Sequence, residues 1–261
     1  VVSSAYQLPD GRVQPSVTWA NLRQMMRRTS TMYLEADRHP MIGPHMTNST
    51  IAPMMSYAQF GLDWEWHYGR SDYQDRWTRD HIRAACIGRQ TGCAPVVIGI
   101  GSQGGAADEV EWLNRTFNGV VLTHELIPCW YSWNKFITPA ERGERTTSRE
   151  LFYETRKALF EMGIGTDACR TQNYWEADYP VAITGVESSS ILHSADGKTM
   201  LIVASWGDDA TASITLDVDR LGIDPDFVAT DFETGEIVER DGNVLTLELA
   251  KHDYRTIVLE G

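Results

Sequence analysis

The chain reads as an α/β region followed by an all-β region. Residues 1–170 fit the C-terminal half of a (β/α)8 TIM-type barrel, and residues 171–261 fit a C-terminal antiparallel β-sandwich. Three observations predict this. Apolar runs of strand length alternate with amphipathic runs of helix length as far as Met162, the order that builds a parallel sheet with helical crossovers. After residue 178 the pattern becomes short alternating runs separated by turn residues, as in sandwiches. Charge marks the same boundary. Residues 1–170 hold 18 acidic and 18 basic side chains, whereas residues 171–261 hold the other 18 acids (36 − 18) and only 5 bases (23 − 18), the whole net charge of −13.

Each element follows from local pattern. Asn21 to Ala36 predicts a helix, with Leu22, Met25, Met26, Met32 and Leu34 forming a buried stripe. Pro40 to Thr47 is a short apolar run ending in polar groups. Ser56 to Trp66 predicts a strand, Arg76 to Gly88 a helix, and Ala94 to Gly101 a buried strand followed by the turn residues Ser102-Gln-Gly-Gly105. Ala106 to Asn114 predicts a helix, with Asp108-Glu109 suited to its first turn, and Gly119 to Glu125 a fourth strand. Thr147 to Met162 is an amphipathic helix that stops at Gly163. Seven strands are expected next: Val181–Val186, Ser190–His193, Met200–Trp206, Ala212–Val218, Phe227–Asp231, Val244–Leu249 and Tyr254–Leu259. Trp206 and Tyr254 fit as packing residues. A full barrel takes about 250 residues, so four strands imply half of one; a doubly wound sheet is the alternative, although no G-x-G-x-x-G fingerprint follows a first strand.

Composition excludes several classes. An acidic balance argues against nucleic-acid binding, which needs a basic footprint, and no apolar run approaches the ~18 residues of a membrane span. The chain opens on Val-Val-Ser-Ser, which reads as a processed chain or a fragment, with secretion or a periplasmic location expected. Cys86, Cys93, Cys129 and Cys169 have no Cys-x-x-Cys spacing. Cys86 and Cys93 either close a short disulfide loop or are two buried thiols. Asn48-Ser-Thr50 and Asn114-Arg-Thr116 match the glycosylation sequon.

The chemistry concentrates in Phe60-Gly-Leu-Asp-Trp-Glu-Trp-His-Tyr-Gly69. On a strand, alternate residues share a face about 6.6 Å apart, so Asp63, Glu65 and His67 converge while Trp64 and Trp66 face away. Paired carboxyl groups at about 5–5.5 Å or about 6.5–9.5 Å serve the two stereochemical routes of glycoside hydrolysis. Glu65 and Asp63 are therefore the candidate catalytic pair. His45, His67, Gln103, His124 and Glu125 fall at predicted strand ends and are candidate sugar ligands. Trp66, Trp130 and Tyr131 are candidate stacking surfaces, and the loop aromatics serve equally well to fasten the two regions together. No spacing supports a closed metal site and no cofactor is implied, although His45, Glu65, His67 and His124 are acceptable zinc ligands. There is no Gly-x-Ser-x-Gly elbow.

Asp10-Gly-Arg-Val-Gln-Pro15, Leu22-Arg-Gln-Met-Met-Arg-Arg28, His45-Met-Thr-Asn-Ser-Thr-Ile-Ala-Pro-Met-Met55 and Asp63-Trp-Glu-Trp66 together resemble bacterial glycoside hydrolases related to family 123. The closing His252-Asp-Tyr-Arg-Thr-Ile-Val-Leu-Glu260 resembles the last strand of a glycosidase's C-terminal β domain. The resemblance implies a barrel followed by a β domain and action on β-linked N-acetylhexosaminides. It also implies an adjacent Asp–Glu pair assisted by the substrate's acetamido group. Asp108-Glu109 is adjacent but opens a helix, so that pair is expected upstream of this chain.

The expected activity is hydrolysis of a glycosidic bond in an oligo- or polysaccharide. The expected partner is an N-terminal half-barrel polypeptide or a second copy of the chain. A non-catalytic carbohydrate-binding or scaffold subunit is the alternative, and a metal-dependent hydrolase or lyase the third reading.

Overall fold

The computed structural model describes residues 6–14, 18–45, 55–63, 74–75, 77–86, 93–99, 106–130 and 147–261. A short hairpin, β1 (Tyr6–Gln7) with β2 (Val13–Gln14), precedes helix α1 (Thr18–Glu35). Then come β3 (Phe60–Asp63), α2 (Arg79–Cys86), β4 (Ala94–Gly99), α3 (Ala107–Thr123), β5 (Ile127–Trp130) and α4 (Ser148–Glu161).

Strands β3, β4 and β5 pair in parallel and in chain order. The segment before β3 extends this sheet. Gln59 and Leu62 donate to the carbonyls of Ile42 and Pro44 at 2.9 and 3.0 Å, and His45 bridges Leu62 in parallel. Parallel neighbours cannot be joined by a tight turn, so the chain crosses back through α2 and α3. Gly43 sits where a Cβ would lie 2.0 Å from the Phe60 ring, so only glycine lets these two segments approach.

The stripe expected on α1 is mostly not buried. Met26 is buried in a small cluster with Met55, Ala58 and Cys93, and Leu22 is partly buried against it. Met25, Met32 and Leu34 are exposed at 58%, 68% and 63%. Positions 22 and 26 share one helical face, and Met25 and Leu34 fall away from it at 3.6 residues per turn.

A larger correction concerns residues 119–125, expected as a strand. They continue and end α3, and the strand lies downstream at Ile127–Trp130. The β-branched run Val120-Val121 favours a strand locally, but Val110, Leu113, Phe117, Val120 and Val121 repeat at helical spacing. All five are buried, and packing overrides the local preference. Asp108 and Glu109 occupy the first turn of α3 as expected. Asn114 is 2% exposed within the same helix, so its sequon cannot carry a glycan, and Asn48 lies outside the described residues. Cys93 is buried in the cluster that holds Met26, and the side chain of Cys86 lies outside the described residues.

The start of α4 is specified by a capping box. Thr147 Oγ1 accepts from the Glu150 amide at 3.2 Å, and the Glu150 carboxylate accepts from the Thr147 amide at 3.0 Å. Glu111 and Asn118 of α3 bind the Ser148 amide and carbonyl at 2.6 and 2.9 Å, joining the two helices.

Beyond α4 all seven expected strands form, as β7 (Val181–Thr184), β8 (Ser188–Ala195), β9 (Lys198–Ser205), β10 (Ala210–Leu216), β11 (Val228–Asp231), β13 (Val244–Leu249) and β14 (Tyr254–Glu260). Two more appear: β6 (Arg170–Asn173), which begins before the expected boundary, and the short β12 (Arg240–Asp241). They form two antiparallel sheets, ordered β12-β13-β10-β7 and β11-β14-β9-β8-β6. One apolar cluster, including Leu201, Ile214, Leu245 and Ile257, draws from both.

The other face of the five-stranded sheet meets the helices. Ile191, Met200, Ile202, Tyr254 and Val258 form one cluster with Val97, Phe117, Val121, Leu151 and Leu159. The sheet is therefore covered on both sides, and β9 is buried from Thr199 to Ser205. Trp206 and Tyr254 pack into this cluster as expected. Gly119 permits the approach, because a Cβ there would lie 3.1 Å from that of Ala204 and 3.3 Å from that of Tyr254.

Candidate functional site

In a parallel sheet all C-terminal strand ends lie on one edge, where loops can bring residues together. Here that edge is defined by register. His45, Leu62, Val96 and Ile127 form one row across the sheet, and Asp63, Val97 and Pro128 form the next. Gly99 and Trp130 pair further along. Asp63, Gly99 and Trp130 are thus the final residues of three adjacent strands, with the exposed His45 one row behind Asp63. Glu65, Trp66, His67, Gln103 and Tyr131, expected on this edge, lie outside the described residues.

His124 and Glu125 are not on it. Because 119–123 is helical, both precede β5, on the N-terminal side of the sheet, and Trp130 takes the strand-end position. Glu125 adopts φ 55° as the chain leaves the helix. His124 is 1% exposed. Its Nδ1 lies 2.9 Å from the Val120 carbonyl and its Nε2 3.3 Å from the Tyr174 hydroxyl. The Trp175 ring stacks on it and the Trp206 ring meets it edge-on, each with centroids 6.0 Å apart. Burial lowers its pKa to about 4, opposed by the Val120 carbonyl and reinforced by the charge of Arg79. A neutral imidazole sealed among aromatic rings serves packing, not a sugar hydroxyl.

Around His124 runs a polar chain. Thr123 Oγ1 meets Ser189 Oγ at 2.8 Å, and the Trp206 indole donates to the same Ser189 oxygen at 2.8 Å. A second tie holds the far side of α3. Arg115 binds Asp253 at 2.6 Å and both Glu233 carboxylate oxygens at 2.9 and 3.0 Å, and lies 5.1 Å from the Tyr254 ring centroid. Burial acts to lower the guanidinium pKa, but the Asp253 charge and the Asp253 and Glu233 hydrogen bonds outweigh it and raise it.

Sequence reasoning missed one feature. Arg79, Tyr174, Tyr179, Val186, Glu187 and Ser190 line an open pocket of about 290 Å³. The aromatic spacing Tyr174-Trp175…Tyr179 is its one trace in the sequence; Arg79 comes from a separate helix. Among the described residues no three His, Cys, Asp or Glu side chains converge as a metal site, and no helix is long and apolar enough to cross a membrane.

No family model matches the chain, and no curated protein matches it. Solved structures do. A noncanonic maltogenic α-amylase from Thermotoga neapolitana superposes with TM-score 0.52 at 8% identity, covering 98% of this chain and 70% of that enzyme. A GH27 β-L-arabinopyranosidase from Geobacillus stearothermophilus superposes with TM-score 0.52 at 12% identity, covering 90% of this chain and 54% of that one. The likeness is one of fold. The chain shares the layout of glycoside hydrolases and spans between about half and 70% of their length.

Proposed function

We propose that this chain is the C-terminal part of a (β/α)8-barrel glycoside hydrolase, residues 1–170 supplying half of the barrel and residues 171–261 a β-sandwich packed on it. The observation that carries the reading is the parallel sheet in chain order, whose helices pack on one of two stacked antiparallel sheets, in a layout shared with glycosidases across 90–98% of the chain. Its support at residue level is that β3 ends on Asp63 at the C-terminal edge, beside the ends of β4 and β5, and that Trp64-Glu-Trp66 follows it directly in sequence.

The reaction is hydrolysis of a glycosidic bond, with a β-N-acetylhexosaminide as the preferred substrate class. Glu65 acts as the acid/base carboxyl and Asp63 as its partner or as a substrate grip. His45, His67 and Gln103 hold hydroxyls, and Trp66, Trp130 and Tyr131 offer ring faces. His124 and Glu125 are left out because of their position before β5. A polypeptide carrying the other half of the barrel, or a second copy, completes the site.

The test is turnover of a panel of aryl glycosides and polysaccharides by the purified protein, alone and with any polypeptide that co-purifies with it. Glu65→Gln should abolish most turnover while far-ultraviolet circular dichroism stays unchanged. Near-normal turnover in Glu65→Gln removes that residue from the mechanism. Glycan binding without turnover under every condition favours a non-catalytic binding subunit.

A further inference from the structure

The pocket beside Arg79 lies where the chain passes from one antiparallel sheet to the other. Strand β7 belongs to the four-stranded sheet and β8 to the five-stranded one, and the crossing takes only residues 185–187. Gly185 makes it with φ +87°, where a Cβ would lie 2.4 Å from the Thr211 carbonyl oxygen. A non-glycine residue fits there neither sterically nor in backbone conformation.

The lining is fixed in place by its own contacts. Arg79 reaches across from α2, pairs with Glu187 at 3.2 Å and donates to the Ser188 carbonyl. Its guanidinium carbon lies 5.8 Å from the Tyr174 ring centroid. Tyr179 donates to Ser190 Oγ at 2.9 Å inside the pocket. Arg79 and Glu187 keep 34% and 59% of their side chains exposed, so both remain within reach of a ligand.

We infer that this pocket is a second saccharide-binding site, separate from the strand-end carboxylates, and that it takes a neutral pyranose or furanose unit. Three properties select that chemistry. The Arg79–Glu187 pair is neutral overall, so an anion or a cation would have to break it, whereas a hydroxyl can accept from one partner and donate to the other. The exposed lining is predominantly polar, which suits a ligand ringed by hydroxyls. The volume, at the lower end for small-molecule sites, holds one or two rings and not a long chain. The choice of a sugar over other neutral polyhydroxy ligands rests on the proposed glycosidase function. Such a site would hold a polymeric substrate on the protein while another part of it is cut.

The test measures binding by saturation-transfer NMR with three neutral probes, maltotriose, xylotriose and N,N′-diacetylchitobiose, and one acidic probe, digalacturonate. The full chain is compared with Val186→Trp, which fills the pocket, with Glu187→Ala, which opens the ion pair at an exposed position, and with Glu65→Gln. Binding of a neutral probe that weakens by at least about tenfold in Val186→Trp and in Glu187→Ala, but persists in Glu65→Gln, supports the site. Melting temperature monitors the fold, and if Val186→Trp melts early the Glu187→Ala result decides. Neutral binding unchanged in both pocket variants, binding of digalacturonate alone, or no binding overturns it. Binding lost only in Glu65→Gln overturns the pocket and leaves the glycosidase reading standing. Pocket binding without turnover in any sample does the reverse.

Discussion

Beside the apolar cluster that joins the helices to the five-stranded sheet, two side chains add polar ties, and each responds to a different perturbation. His124 is enclosed and neutral, with a pKa near 4 against about 6.5 in an unfolded chain. The unfolded state therefore binds the extra proton first as the pH falls. The stability linked to this group is fully present above about pH 6.5, declines below it, and is lost as the pH passes through about 4; it amounts to roughly 3 kcal/mol. Urea denaturation at pH 7 and pH 4 should show this loss, and His124→Asn should flatten that part of the pH profile. A wild-type profile as flat as the variant's would sink the assignment. Arg115 behaves differently because its charge is permanent. Arg115→Ala leaves Asp253 and Glu233 partly buried without their cation and should cost about 2–4 kcal/mol, less than for a fully buried pair because the groups are 19–26% exposed. Arg115→Lys should recover little, since an ammonium cannot repeat the bidentate grip on Glu233.

At the scale of elements, α3 packs against both α4 and the five-stranded sheet, and Gly119 lets it come close to Ala204 of β9 and Tyr254 of β14. Gly119→Val should push the helix off Ala204 and Tyr254 and cost about 1–3 kcal/mol or more, read as a lowered midpoint in chemical denaturation. An unchanged midpoint would mean that the helix–sheet spacing is slack. At the start of α4, Thr147→Ala removes one half of the capping box and should cost about 1 kcal/mol. These elements also mark where sequence reading succeeds and fails. Thr147, Glu150 and Gly163 bound α4 by local chemistry alone, and the turn residues of the last 80 positions separate the seven strands cleanly. The segment 119–125 carries no such punctuation. Its helical state is decided by Ala204, Tyr254 and Leu151 pressing on it from distant parts of the chain, and a single strand-like run cannot report that. The same displacement moved the expected site, exchanging His124 and Glu125 for Trp130 at the edge of the sheet. The pocket beside Arg79 was illegible for a related reason, since its wall comes from α2 and its floor from strands more than 90 residues later.

At the scale of the whole molecule, the shift in charge at residue 170 divides composition, not folding. The acidic part contributes a five-stranded sheet with two apolar faces. One is covered by the other antiparallel sheet and the other by α3 and α4. Strand β6 begins at Arg170 and pairs with β8, so the composition boundary falls within the edge strand of that sheet. If residues 171–261 are expressed alone, Ile191, Met200, Ile202, Ala204, Tyr254 and Val258 lose their helical cover. A contiguous apolar face of that kind favours self-association. The fragment should bind a hydrophobic dye, sediment as oligomers and unfold with weak cooperativity, while a fragment starting at Thr147 restores α4 and recovers part of the cover. The high negative charge opposes association at low salt, so the contrast should sharpen as salt screens it. A monomeric 171–261 fragment that unfolds as cooperatively as the full chain would show that the helix-facing surface tolerates water. The α/β part would then be a separable attachment, and the ties at His124 and Arg115 would serve orientation and not stability.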